Sequence, residues 1–417
     1  MSSCRAVITA GALALMLCAS ALAGDGSDFA NDALLGLEGT ECSYCTPNPP
    51  EEVGPPFQFD WSVGLRGGVR DDGSGAGPVY EVVALPEFSL RQETIRGGYN
   101  FGISGEISQR VDGDPRLGSV TATAGGAYSL DELTTLEGKF DLTVSQDDPD
   151  DADQPVNVAT APLEVSGNAE GSIRRDFGPL LIELRGSAGR DVIGETTYDD
   201  ETTTSNEYQN TTTWGAGARL GYKLMPGMVA FIDGAADAEQ YDTDSPTLLT
   251  KLDNVTYATR AGLTFRPSEV LQVEGSIGWG YRDFVDETLS DFSAMLYGAK
   301  AEFRPNDTLT LTAELNTTIS SPGTTSGAVA KLEHAATGAL SYQLNPWLRL
   351  RASAGWSMAR YEGIDTRENK WGVGVGADYL LNEHTDLTAD YSFERSETTP
   401  EPATDEHQVT VGVRFHR

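Results

Sequence analysis

The chain has 417 residues, with 29 Lys+Arg against 63 Asp+Glu, a formal net charge of −34, 39% hydrophobic residues, 46 Gly and 4 Cys. The acid surplus excludes a nucleic-acid binder, because phosphates are repelled by such a surface, and so few Cys exclude a disulfide-dense small scaffold. Recurring aromatic and β-branched residues exclude a disordered chain, and no internal stretch approaches the roughly 18 apolar residues of a transmembrane helix.

The N-terminus reads as an address. Ala6 to Ala23 form the one long apolar run, with Arg5 before it and the small-residue pattern Ala21-Leu22-Ala23 closing it. Residues 1–23 are therefore expected to be a secretory signal peptide cleaved before Gly24. Residues 24–56 lack periodicity and carry Pro47, Pro49, Pro50, Pro55 and Pro56, so a flexible Pro-rich periplasmic leader is expected. Within it Cys42 and Cys45 have no second ligand pair for zinc and no helix to support redox chemistry. A small local disulfide is the expected state.

From Phe57 onward the sequence alternates with period two. Phe57, Phe59, Trp61, Val63 and Leu65 interleave with Gln58, Asp60, Ser62, Gly64 and Arg66; Leu309, Leu311, Ala313 and Leu315 interleave with Thr310, Thr312, Glu314 and Asn316. The same pattern recurs at Leu348–Trp356, Trp371–Tyr379 and Val409–Phe415. Successive strand side chains point to opposite faces, so each segment has one apolar and one polar face. Short connectors fall near Glu93, Glu132, Phe177, Pro226, Ser268, Asn306, Pro346 and Glu383, a hairpin-sized spacing of roughly 37–49 residues. Tyr128, Tyr222, Phe265, Phe303, Tyr342 and Tyr379 each precede one of these turns, as an aromatic girdle at a membrane interface would.

Longer polar segments separate the short turns, near residues 71–78, 111–116, 147–161, 194–209, 242–252, 284–290, 321–328, 362–367 and 397–405. Short turns alternating with longer loops are the asymmetry of an outer-membrane barrel. The expectation is an all-β, closed antiparallel transmembrane β-barrel over residues 57–417, of about 18 strands of about 12–16 residues, with periplasmic turns and acidic extracellular loops. A soluble sandwich would need an oversized core; a closed cylinder leaves no edge unpaired.

The functional surface of such a barrel is its interior. Ionised side chains facing hydrocarbon cost roughly 2–4 kcal/mol each for Lys or Arg at the midplane, so the charged lane must face the lumen. Arg66, Arg96, Arg219, Arg260, Arg282, Arg349, Arg351, Glu274, Glu314 and Asp390 are the expected pore-lining residues; the bland alternative for each is wall chemistry in water. Gly and Ala on both lanes leave room for an aqueous channel. The loop Gly194–Gln209 is the first candidate for a constriction, with Asp147–Ala161 comparable. The run Asp147–Asp153 lacks the glycine and terminal acid of a calcium loop and reads as solvated. Negative mouths should concentrate cations. His334, His384, His407 and His416 have no Ser nucleophile and acid at a defensible spacing, so neither an enzyme nor a cofactor or metal site is expected.

The body resembles the putative β-barrel porin 2 family of Gram-negative outer-membrane proteins. The resemblance covers roughly Phe57 to Arg417. It is carried by the turn-centred repeats Thr264-Phe-Arg-Pro-Ser-Glu-Val, Glu302-Phe-Arg-Pro-Asn-Asp-Thr, Ser341-Tyr-Gln-Leu-Asn-Pro-Trp and Asp378-Tyr-Leu-Leu-Asn-Glu-His, and by the closing Val409-Thr-Val-Gly-Val-Arg-Phe. Barrels of this kind usually end in Phe, whereas Phe415 is followed by His416 and Arg417. The resemblance implies an integral outer-membrane barrel. Its expected partners are outer-membrane lipid and lipopolysaccharide and, during biogenesis, the barrel-assembly machinery; further copies of the chain and periplasmic export partners are compatible with it. Three functions follow as expectations: a porin-like channel for small hydrophilic solutes with a cation preference; an exopolysaccharide secretion conduit, the work of some relatives; and a plugged structural or surface-interaction barrel.

Overall fold

The computed structural model describes residues 57–417 apart from residues 72, 74–76, 112, 114, 148–156, 323–326, 400 and 401. The expected signal peptide, the leader, the Cys42–Cys45 pair and most of the Asp147–Asp153 run lie outside the described residues.

Period-two alternation becomes strand after strand. The elements are β1 (Gln58–Asp71), β2 (Val79–Thr94), β3 (Gly97–Arg110), β4 (Arg116–Asp131), β5 (Thr134–Gln146), β6 (Val158–Thr160), β7 (Leu163–Phe177), β8 (Leu180–Ile193), β9 (Thr196–Tyr198), β10 (Thr203–Thr204) and β11 (Thr211–Met225). The chain continues with β12 (Met228–Tyr241), β13 (Asn254–Ser268), β14 (Leu271–Phe284), β15 (Phe292–Asn306), β16 (Leu309–Ser320), β17 (Ala330–Asn345), β18 (Leu348–Glu362), β19 (Arg367–Asn382), β20 (Thr385–Thr398) and β21 (Thr404–His416). Eighteen of them form one antiparallel sheet that closes where β1 pairs with β21, while β6, β9 and β10 form a small separate sheet. The wall strands run from 12 to 16 residues, as the sequence predicts.

The expected short turns all appear, and their chemistry explains the repeats. A side-chain oxygen at the turn's start accepts the amide two residues on: Asp131 from Leu133 at 2.9 Å, Asn306 from Thr308 at 3.1 Å, Asn345 from Trp347 at 2.9 Å and Asn382 from His384 at 2.9 Å. Asx turns of this kind fold the chain back within four residues. Register shifts fall just before several of these turns, at Phe303/Asn306, Gln343/Asn345 and Leu380/Asn382. At Gly178 and Gly227 the turn needs φ of 79° and 77°, a region glycine enters without a Cβ penalty.

The two faces separate cleanly. Tyr128, Tyr222, Phe265, Phe303, Tyr342 and Tyr379 are all exposed on the outside near the turns. A second outward set stands toward the other rim, where Tyr257 faces Tyr281 and Trp356 faces Trp371 across neighbouring strands. Between the two girdles Leu220, Ile232, Leu263 and Ile277 present an apolar belt. In water such a belt would be a large exposed patch; in a bilayer it is the required surface.

One feature departs from expectation. Arg96 is not on a strand: β2 ends at Thr94, and Arg96 sits exposed in the periplasmic turn, its carbonyl accepting the Ser129 amide at 2.6 Å. Reading the alternation through the turn assigned it to the lumen. The candidate constricting loop carries structure of its own: residues 196–198 pair with 158–160 and with 203–204, and Asn206 bonds back to the Gly194 carbonyl at 2.7 Å.

Candidate functional site: the charged lumen

Strand parity places Arg66, Arg219, Arg260, Arg282, Arg349, Arg351, Glu274, Glu314 and Asp390 on the inner face, opposite the exposed apolar residues. Their spacing on neighbouring strands lets opposite charges meet. Near the periplasmic end Arg351 on β18 reaches Asp378 on β19 and Asp390 on β20, at 2.8 Å each, and Arg349 reaches Asp378 at 3.2 Å. Arg414 meets Asp386 at 2.9 Å. Across β11, β13 and β14, Arg219 reaches Glu274 at 2.8 Å, and Thr264 donates to the same carboxylate oxygen at 2.8 Å. Arg185 bonds Asp233 at 2.6 Å, and Lys223 pairs with Asp176. Glu314 stands exposed across the ladder from Lys300. Arg66 and Glu81 both lie close enough to Glu106 to act on its charge, with opposite signs.

Such pairs shape the inner face in two ways. They join strands across the inner face, and they set both signs of charge side by side there rather than presenting a single-sign surface. Each is worth little to stability where it is wet, about 0–1 kcal/mol.

The lumen also holds groups the sequence reading missed. Phe231 on β12 points inward and is 5% exposed, with the Arg219 guanidinium 3.5 Å from its ring centroid. The segment Met228-Val-Ala-Phe-Ile232 is apolar on both faces, which hides both Phe231 and the neighbouring Asp233 from a periodicity argument. At the extracellular end Tyr241, Leu252 and Phe284 form a buried cluster with Leu248, Leu289 and Val329 packed on it. Ala328, Ala359 and Tyr361 form another, joined by Ile364. Tyr241, Phe284, Ala359 and Tyr361 belong to the inner lanes of their strands. Described residues of the loops that follow β12, β14, β16 and β18 (Leu248, Leu252, Leu289, Ala328, Val329 and Ile364) therefore pack inward at the mouth.

His334 Nδ1 meets the Thr317 hydroxyl at 2.8 Å, and His407 Nδ1 meets Tyr391 Oη at 3.0 Å. Among the described residues no three His, Cys, Asp or Glu side chains converge as a metal would require.

A closed antiparallel barrel with an apolar outer belt, two aromatic girdles and a charged wet interior is a membrane-spanning barrel of porin type. Residues 85–417 match the model of the family described as putative beta-barrel porin 2, and the chain belongs to that family. No curated protein matches the sequence. Among solved structures, OccK2 (OpdF) of Pseudomonas aeruginosa is similar at 12% identity, covering 86% of this chain and 98% of that one, with a TM-score of 0.44. OccAB4 of Acinetobacter baumannii is similar at 10% identity, covering 88% and 100%, with a TM-score of 0.41. The siderophore receptor PirA of Pseudomonas aeruginosa is similar at 6% identity, covering 86% and 80%, with a TM-score of 0.44. Likenesses this distant transfer nothing from those proteins to this chain.

Proposed function

We propose that this barrel is a diffusion channel for small hydrophilic solutes across the outer membrane of a Gram-negative bacterium, with a preference for cations. The ion-paired inner lane carries the reading: Arg351 between Asp378 and Asp390, and Arg219 on Glu274, hold charge against the wall of a small-residue bore. The formal charge of −34, concentrated in loops such as Asp199-Asp-Glu201, supports the cation preference. Catalysis has no part in this reading.

The export alternative draws little from the lumen. A polysaccharide conduit favours aromatic platforms facing the bore, whereas Phe231 lies under a guanidinium and Tyr241, Phe284 and Tyr361 are buried in packed clusters. The plugged-barrel alternative has one observation in its favour, the inward packing of the extracellular loops on those clusters.

Single-channel conductance of the refolded protein in planar bilayers, under a salt gradient, separates these readings. Steady cation-selective steps are expected. Silence from a barrel shown to be folded by heat-modifiable gel migration sinks the open-channel reading in favour of a plugged one.

A further inference from the structure

One seam of the wall is open over its last third. The β15–β16 ladder runs from Asn306↔Leu309 to Gly298↔Asn316 and stops there. Both strands continue beyond that point on their other sides. β15 stays paired with β14 to Phe292↔Arg282, and β16 stays paired with β17 to Ser320↔Lys331. Residues 292–297 of β15 and 317–320 of β16 therefore have no partner across the seam. The other seams pair close to the end of the shorter strand.

The free edge of β16 is held from inside the barrel. Arg260 Nη2 on β13 donates to the Thr317 carbonyl at 3.1 Å, and Arg282 Nη2 on β14 donates to the Ile319 carbonyl at 3.3 Å. Alternate residues of a strand turn their carbonyls to the same edge, so these two arginines take the acceptors that β15 would otherwise use. Arg282 is 4% exposed and is itself fixed by Thr256 at 3.0 Å, with Glu239 3.8 Å away.

The side chains show where β16 lies. A Cβ on Gly280 would stand 2.7 Å from Ile319 Cδ1 and 3.2 Å from Leu296 Cδ1. Gly280 and Leu296 are on the inner lanes of β14 and β15, so the outer face of upper β16 overlaps the inner face of the wall. Thr317 is fully buried in that overlap. The chain beyond continues the contact: Ser321 hydrogen-bonds Tyr241, and Val329 packs on the Tyr241–Leu252–Phe284 cluster. The inward position of β16 and the packing over the extracellular mouth are thus one unit.

A second position is already written in the register. Continuing the ladder from Gly298↔Asn316 pairs Tyr297 with Thr317, Leu296 with Thr318, Met295 with Ile319 and Ala294 with Ser320. That register puts Ile319 beside Met295 on the lipid face and turns Thr318 and Ser320 into the bore. Backbone groups within a membrane need partners in either position: arginines in one, the β15 ladder in the other. Two arrangements of one element, one with two of its carbonyls held by arginines and one with the ladder continued, are what a switch requires.

We propose that the last third of β16, Thr317 to Ser320, is a gate, latched inside the wall by Arg260 and Arg282, which opens the extracellular mouth by zipping onto β15. Its effect on flow rests on the channel reading; the strand exchange itself does not. Cysteine pairs test the exchange directly in the full chain. Gly280→Cys with Ile319→Cys reports the inner position, and Met295→Cys with Ile319→Cys reports the zipped one. Expected is ready crosslinking of the first pair and slow crosslinking of the second, with the second accelerated at least several-fold by R260Q/R282Q. Gly280→Leu occupies the place of Ile319 without touching a charge and should raise mean single-channel conductance, as R260Q/R282Q should. The gate is overturned if the Met295–Ile319 pair never closes in either background while the Gly280–Ile319 pair closes fully, in barrels shown to be folded by heat-modifiable migration. If no variant conducts, the channel reading fails, and the crosslinking rates still decide the gate.

Discussion

The guanidinium of Arg219 lies over the inward-facing ring of Phe231, 3.5 Å from its centroid. The ring shields one face of the cation from water while Glu274 holds its edge at 2.8 Å. A cation–π contact contributes about 0.5–1 kcal/mol where it is wet and about 2 or more where it is desolvated. Phe231→Leu keeps apolar cover but removes the quadrupole. It should lower stability by about 1 kcal/mol and leave Arg219 freer to move, seen as increased open-channel noise. Unchanged noise and melting would show that the ring only fills space.

Phe231 fits because its neighbours are glycines. A Cβ on Gly262 would stand 2.4 Å from the Gly275 carbonyl oxygen and 2.5 Å from Phe231 Cζ. The ring can rotate away but the carbonyl cannot, so Gly262→Ala should cost about 1–3 kcal/mol, the usual range for overpacking. The double variant G262A/F231L should recover only part of that loss, because the backbone clash persists. Thermal loss of the fast-migrating folded band on gels measures both.

Arg351 neutralises two carboxylates at once, Asp378 and Asp390. Arg351→Gln leaves Asp378 with Arg349 alone and makes the periplasmic end of the bore more negative by one charge. The cation-to-anion permeability ratio should rise, and Asp390→Asn should move it the other way. Reversal potentials in a salt gradient report the ratio. The shift should fade toward 1 M salt, where the Debye length falls to about 3 Å. A shift that persists there would point to a changed pore diameter instead.

What was legible in the sequence follows from which constraints are local. Asn306, Asn345 and Asn382 fold their turns by bonding amides two residues on, so the turn positions and the strand count can be read from residue type and spacing. The lane of Arg219, Arg260 and Arg351 is legible because lipid tolerates no charge on the other face. Arg96 was misplaced because alternation carries no mark of where a strand stops. The split seam left no trace either: Leu309 to Ser320 alternates equally well whether β16 continues along β15 or crosses inside it. The loop clusters around Leu252 and Ala328 depend on contacts between distant segments, which periodicity does not encode.

The extracellular loops should resist mild acid. Hydrogen bonds from Arg190 hold the Asp242 carboxyl below the usual carboxylate range, with Nη1 to Oδ1 at 2.8 Å. The Thr250 hydroxyl, with Thr288, does the same for Asp286, and Thr202 does it for Asp200. A carboxyl whose folded pKa is depressed stabilises the fold above its unfolded value, about 3.9 for Asp, and that contribution is lost as pH falls through the folded pKa. The tie between β8 and the 242–253 loop should therefore be unchanged from pH 7 to 5 and loosen only below about pH 4. Open-channel noise across that range is the readout. Arg190→Gln removes both the tie and the depressing partner, so Asp242 returns toward its ordinary value and the raised noise should be present already at pH 7, with no acid transition of this tie left to see. A transition already present near pH 6 in the unaltered protein would show that some other group controls the loops.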